Sequence, residues 1–174
     1  MQKKSQKVFT NGGLYMNFVN VGNGGFIPVD RIIAVFEYDT HLVRTRELMK
    51  EKKNSEKFID FTGIRACKSL ILLSTGDLVG SSVAPETIVK RINESNPDDF
   101  LIIFRFCCIK KSAIVLVTEK NYTTKQILKI RNPIEIKLSA QNIRSVIWTS
   151  NGYVFYSAKS VKKIQEKVDI PNEE

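Results

Sequence analysis

The 174 residues carry 27 Lys and Arg against 18 Asp and Glu, a formal charge of +9, and 43% of them are hydrophobic. That share supports an ordinary folded core, in one domain or two small ones. No stretch approaches the roughly 20 apolar residues of a membrane helix. Three cysteines, Cys67, Cys107 and Cys108, are too few and odd in number for a disulfide framework, and read as small buried residues in a reducing, cytoplasmic setting.

In chain order, the opening MQKKSQKVFTNGG is basic and lacks the apolar run of a secretory signal. It reads as a flexible basic tail over 1–16, with Met16 a candidate start. The stretch FVNVGNGGFIPVDR (18–31) carries a glycine cluster that invites a phosphate-cradle reading. A cradle needs a helix to open directly after the glycines and a lysine beside them. Here β-branched and aromatic residues follow, so the cluster is a hairpin turn built on Asn23-Gly24.

RIIAVFEY (31–38) reads as a strand and DTHLVRTRELMKEKKN (39–54) as a helix, capped by Asp39 or Thr40, with Val43, Leu48, Met49 and the stems of Arg44 and Arg46 forming a mixed face and Lys50, Lys52 and Lys53 suiting its C-terminal end. KFIDFT (57–62), KSLILLS (68–74) and LVGSSV (78–83) are strands, and PETIVKRIN (85–93) is a helix opened by proline. After the turn-rich NESNPDD (93–99) the order repeats. FLIIFRFCCI (100–109) and SAIVLVTE (112–119) read as strands and TTKQILKI (123–130) as a short helix. IEIKLS (134–139), RSVIWTS (144–150) and YVFYS (153–157) read as strands, and KSVKKIQEKV (159–168) as the closing helix. KSLILLSTGDLVGSS at 68–82 stands against RSVIWTSNGYVFYS at 144–157. The fold class is therefore α+β: two tandem strand-strand-helix-strand-strand-strand-helix units, at 17–93 and 100–168, joined by a linker at 94–99 and followed by a tail at 169–174.

Charge divides unevenly between the halves. Residues 1–100 hold 14 basic against 12 acidic residues, and residues 101–174 hold 13 against 6. An excess of this kind suits an anionic partner, nucleic acid above all. Enzymatic chemistry finds little footing. His41 is the only histidine and has no acid or thiol at useful spacing; Asp60 has no carboxylate partner; Ser81 and Ser82 lack a nucleophile elbow. No enzyme activity, cofactor, metal, small-molecule substrate or membrane partner is expected.

NFVNVGNGG (17–25), DRIIAV (30–35), IDFTGIR (59–65) and SSVAPETIVKRI (81–92) together resemble the RemA-type regulators of bacterial biofilm matrix genes. The second copy is more similar to the RemB relatives, through IKKSAIVLV (109–117) and the RSVI…YVFYS hairpin. The resemblance implies a transcription regulator that binds duplex DNA as a ring-like homo-oligomer. It also implies DNA-contacting arginines after the first hairpin and between the third and fourth strands, which match Arg31 and Arg65. Where the family often carries further arginines, this chain has Ala66 and Lys68, and Asp30 replaces the usual small residue. In the second copy Ala113 matches Arg31, Arg144 matches Lys68, and Lys110 and Lys111 offer the best phosphate contacts. The expected DNA-binding set is thus Arg31, Arg65, Lys68, Lys110, Lys111 and Arg144. Two alternatives stay open: an assembly module that has lost its DNA contacts, and a single-stranded RNA binder stacking bases on Trp148, Tyr153 and Phe155. Lys159, Lys163 and Lys167 read as the solvated face of the last helix.

Overall fold

Asn23 and Gly24 both adopt positive φ, 47° and 77°, the two-residue turn that a tight hairpin demands. The turn joins strand β2 (Tyr15–Gly22) to β3 (Gly25–Pro28), and strand β1 (Ser5–Phe9) pairs antiparallel with the other edge of β2. The computed structural model describes residues 5–9, 15–95, 97–104, 107–138 and 142–168. The segment read as a loose tail thus contributes a strand, because the free edge of β2 offers it a ladder of backbone partners.

A single 3-10 turn, Val29–Arg31, breaks the run after β3 and starts β4 (Ile32–Glu37). Helix α1 (Val43–Asn54), strands β5 (Phe58–Phe61), β6 (Ser69–Leu73) and β7 (Leu78–Ser81), and helix α2 (Pro85–Ser95) complete the first unit. The second unit repeats the order with β8 (Phe100–Phe104), β9 (Cys107–Lys110), the 3-10 turn Lys111–Ala113, β10 (Ile114–Glu119), α3 (Tyr122–Arg131), β11 (Ile134–Ile136), β12 (Ser145–Thr149), β13 (Tyr153–Ser157) and α4 (Val161–Val168). Each unit therefore has one strand more than periodicity suggested. The ten-residue run 100–109 is a hairpin, not one strand; residues 105 and 106 lie outside the described set.

Duplication extends to single hydrogen bonds. Ser74 N–H donates to Arg31 O at 2.8 Å, and Ser150 N–H to Ala113 O at 2.9 Å. Lys68 N–H donates to Ser81 O and Arg144 N–H to Ser157 O. Ser69 Oγ donates to Val83 O and Ser145 Oγ to Lys159 O, both at 2.8 Å.

The sheets do not respect the unit boundary. A six-stranded sheet runs β5-β7-β6-β4-β9-β8, so the second unit's hairpin extends the first unit's sheet through Ala34↔Ile109, Val35↔Cys108 and Phe36↔Cys107. The second unit keeps a four-stranded sheet, β10-β12-β13-β11. One core cluster accordingly mixes Phe36, Leu48 and Leu70 with Leu101, Ile147, Phe155 and Ile164. The other gathers Val19, Val21, Ile27, Ile71, Ile88 and Ile92, together with Cys108. Adjacent Cys107 and Cys108 face opposite cores, as strand alternation requires. Burial raises both thiols, Cys108 to about 12.

Helix α1 departs from its sequence reading. It starts at Val43 behind Leu42, with no side-chain cap, and Asp39 Oδ1 instead accepts from His41 N–H at 2.8 Å. Val43 is exposed, and Thr45, Leu48 and Lys52 form the buried face. Lys52 is drawn inward because Nζ donates to Gly76 O at 2.7 Å and lies 5.4 Å from the centre of the Tyr153 ring. That contact also ties the two units together.

Ser81 fastens the first hairpin to its sheet. Its fully buried Oγ donates to Val21 O at 2.5 Å and accepts from Val83 N–H at 2.9 Å. Ser81→Ala is expected to cost about 1–3 kcal/mol, because it strands a buried carbonyl. Thermal unfolding should then shift down by several degrees; an unchanged midpoint would contradict this role. A close approach sets Gly25: a Cβ there would lie 2.6 Å from Phe61 Cδ1, which packs over the backbone.

Candidate nucleic-acid interface

Strand direction sorts the candidate cations onto two ends of the sheets. Arg31 closes the 3-10 turn at the entry of β4, where its carbonyl meets Ser74 just past the end of β6. Lys68 lies just before β6, bonded through its carbonyl to Tyr38 N–H beyond the far end of β4. Six residues of extended chain separate these points, roughly 20 Å. Arg65 belongs to the Lys68 end, in the exposed loop between β5 and β6.

The antiparallel β4–β9 pairing brings Lys110 to the Arg31 end. Its Nζ donates to Asp30 O at 3.1 Å, and Lys111 follows in the 3-10 turn equivalent to that of Arg31. Arg31, Lys110 and Lys111 therefore form one basic rim. Arg65 and Lys68 belong to the opposite rim. Arg144, exposed before β12, stands in the second unit where Lys68 stands in the first. The six candidates do not converge on one spot.

Arg31 is well exposed, and its ion pair with Asp30 is loose, Nε to Oδ2 at 4.0 Å. A pair of that length between exposed groups contributes little to stability. Arg65 lines a polar hollow of about 480 Å³ with Asn20, Asn23, Thr62, Ser82 and Arg91. Sequence reasoning missed two members of this rim. Arg91 Nη1 donates to Asn20 O at 2.6 Å from α2, pinning the hairpin while leaving its charge at the hollow. Ile64, fully exposed beside Arg65, gives the loop an apolar tip. The signal for Arg91 was its place nearly two turns into an amphipathic helix; Ile64 gave none, since its neighbours read as a plain loop.

Other residues with possible chemistry are occupied structurally. Thr62 donates to Asp60 Oδ1 from both N–H and Oγ1, at 2.8 and 2.6 Å, and its hydroxyl is the main cause that holds the carboxyl below the usual range. His41 sits exposed before α1. Among the described residues no group of three His, Cys, Asp or Glu is placed to hold a metal. Tyr153 and Phe155 are buried in the core, which removes the base-stacking platform expected for a single-stranded RNA binder and leaves only half-buried Trp148. On the last helix Lys162, Lys163 and Lys167 are solvated, whereas Lys159 precedes the helix and donates from Nζ to Ile102 O. No helix among the described residues is long and apolar enough to cross a membrane.

The first unit is a small α+β fold that carries basic residues in loops and turns at the ends of its sheet. A family model described as extracellular matrix regulatory protein A-like, RemA-like, matches residues 18–92, from the first hairpin through α2. A regulatory protein of Geobacillus kaustophilus is 30% identical over 87 residues, which make up 50% of this chain and 95% of that one. One from Lachnoclostridium phytofermentans is 32% identical over 76 residues, 44% and 81% of the two chains. One from Synechococcus elongatus is 31% identical over 80 residues, 46% and 90%. The chain belongs to the RemA-like family, and its first unit is the part that carries the membership.

Proposed function

We propose that this chain is a DNA-binding transcriptional regulator that works as a homo-oligomer in the cytoplasm, holding duplex DNA through arginine and lysine contacts to the backbone. The second unit is read with it as a RemB-type copy. The observation that carries the reading is the placement of the cations. Arg31, Arg65, Lys68 and Arg144 are exposed at loops and strand ends, and among the described residues no side-chain bond beyond the loose Asp30 pair occupies their guanidinium or ammonium groups. The net charge of +9 and the names of the relatives as regulatory proteins support the same conclusion.

A few phosphate contacts per chain give weak and salt-sensitive affinity. Self-association multiplies them along one assembly at high effective concentration. Contacts of this type fix position on the duplex, so sequence preference would come through shape and bendability more than base edges. The test is a gel-shift titration on bacterial promoter duplex DNA with single-stranded RNA as competitor. Retarded duplex that RNA does not displace is expected; retarded RNA in preference to duplex, or no shift at low salt, would contradict the reading.

The rival reading, an oligomer without DNA contacts, is favoured by one feature, the Asp30 carboxylate beside Arg31. Asp30→Asn is a direct discriminator. Removing that negative charge should strengthen duplex binding severalfold and leave the midpoint of unfolding nearly unchanged, because the exposed pair contributes at most about 1 kcal/mol. Unaltered or weaker binding would count against Arg31 as a contact.

A further inference from the structure

The duplication leaves one face closed in the first unit and open in the second. In the first unit aromatic rings close it: Tyr38 and Phe58 both pack against the larger core cluster. Phe58 lies so near Gly80 that a Cβ there would fall 2.6 Å from its ring.

Shared hydrogen bonds and strand pairings identify the counterparts. Tyr38 N–H donates to Lys68 O and Lys120 N–H to Arg144 O, so Lys120 stands where Tyr38 does. Lys68 and Arg144 donate in turn to Ser81 O and Ser157 O, which aligns Leu78 with Val154 and Gly80 with Tyr156. Phe58 pairs with Leu78 and Glu135 with Val154, so Glu135 takes the place of Phe58. Where the first unit has two rings, the second has a lysine and a glutamate.

A hollow of about 420 Å³ opens there, floored by Leu128, Ile143 and Val146 of the second unit and by Leu42 of the first. Sites for small molecules are usually roughly 300–1,000 Å³. Tyr156 and Thr124 also line it, but their hydroxyls are committed, Tyr156 to Glu135 Oε2 and Thr124 to Glu119 O. The Glu135 carboxylate is matched by Lys137 Nζ at 2.7 Å, which lies 4.8 Å from the centre of the Tyr156 ring. The other charges at the hollow are Lys120 and Lys125, both exposed, and among the described residues no acid pairs with either. A floor without a free hydroxyl disfavours a sugar or a nucleobase, whose polar groups would lie unpaired on it. Two ammonium groups at the rim favour a negative charge.

We infer that this hollow binds a medium-chain aliphatic carboxylate, its chain over Leu42, Leu128, Ile143 and Val146 and its head met by Lys120 and Lys125. None of the six candidate DNA contacts lines the hollow, so the site stands apart from the DNA reading.

The probe is sodium dodecanoate, kept below its micellar concentration and titrated into the full chain without DNA by isothermal calorimetry. Saturable binding of one molecule per chain is expected, with an unfolding temperature that rises as the probe is added. Lys120→Tyr installs the first unit's ring in the hollow and should abolish saturable binding. Lys120→Gln/Lys125→Gln changes only exposed groups and should weaken binding by about tenfold, through loss of two charge contacts at the rim. The unfolding temperature of each variant without probe should stay close to that of wild type. Dodecyltrimethylammonium, with the same chain and the opposite charge, should not bind saturably. Absence of saturable dodecanoate binding to wild type would overturn the site, and so would binding that both variants retain. Equal binding of the cationic probe would overturn the choice of an anion.

Discussion

Replacing Arg31 and Arg65 together by alanine is expected to weaken duplex DNA binding by roughly 30-fold at moderate salt. Two exposed charge contacts at about 1 kcal/mol each amount to that factor. The loss should be larger where several chains bind one duplex, because each chain forfeits both contacts. Neither side chain has a burial role, so thermal stability should stay within about 0.5 kcal/mol of wild type. The two residues lie on opposite rims, so the single variants are informative too. Similar losses from each would mean that DNA meets both rims, through neighbouring chains or by wrapping. Loss confined to one would assign the interface to Arg31, Lys110 and Lys111, or to Arg65 and Lys68. Fluorescence anisotropy with a labelled duplex measures all three. Unchanged affinity in the double variant would remove the assignment.

Phe155→Ala should produce the largest loss of stability, about 3–5 kcal/mol. Phe155 is fully buried and meets Phe36 edge to face, with centroids 6.3 Å apart and planes at 71°. Phe36 belongs to the first unit and Phe155 to the second, within one core that also holds Leu48, Leu101 and Ile147. The two units should therefore unfold together. Phe155→Ala should lower a single calorimetric transition by about 10 °C, at roughly 2–4 °C per kcal/mol for a chain of this size. Two transitions, with only one of them displaced, would show that the units are separate folding bodies and that the shared core contributes little.

Local chemistry made several features legible. Asn23-Gly24 demanded a tight turn and adopts positive φ at both positions; an Asn-Gly pair at 151–152 likewise marks the turn between β12 and β13, where Gly152 has φ 82°. Pro85 opens α2 as its fixed φ favours. Internal repetition between 68–82 and 144–157 correctly announced two like units. The features that escaped are set by distant contacts. The apolar run 100–109 gave no glycine, proline or asparagine to mark its bend, so the hairpin that invades the first unit's sheet was invisible. Lys52 suited the C-terminal end of its helix as a cation, yet Gly76, 24 residues on, supplies a carbonyl that draws it inside.

The candidate site was legible residue by residue, and its layout was not. Arg65 sits in an exposed loop, as expected, whereas Arg31, read as the first residue of a strand, closes the exposed 3-10 turn before β4. Their separation to opposite ends of β6, and the arrival of Lys110 beside Asp30, depend on strand directions and on the β4–β9 pairing. Arg91 was hidden for a related reason: its bond to Asn20 O joins positions 71 residues apart.

The central claim, that exposed arginines and lysines of an associated chain hold duplex DNA by its phosphates, is tested most directly by affinity against salt. Wild-type binding to one promoter duplex, measured across a range of potassium chloride, should give a straight line of log affinity against log salt. Its slope should be about −0.9 for every phosphate contact released, steeper than −3 for an assembled protein. Arg31→Ala/Arg65→Ala should flatten it by close to 2 per bound chain. A slope near zero, or one that the double variant leaves unchanged, would contradict the account.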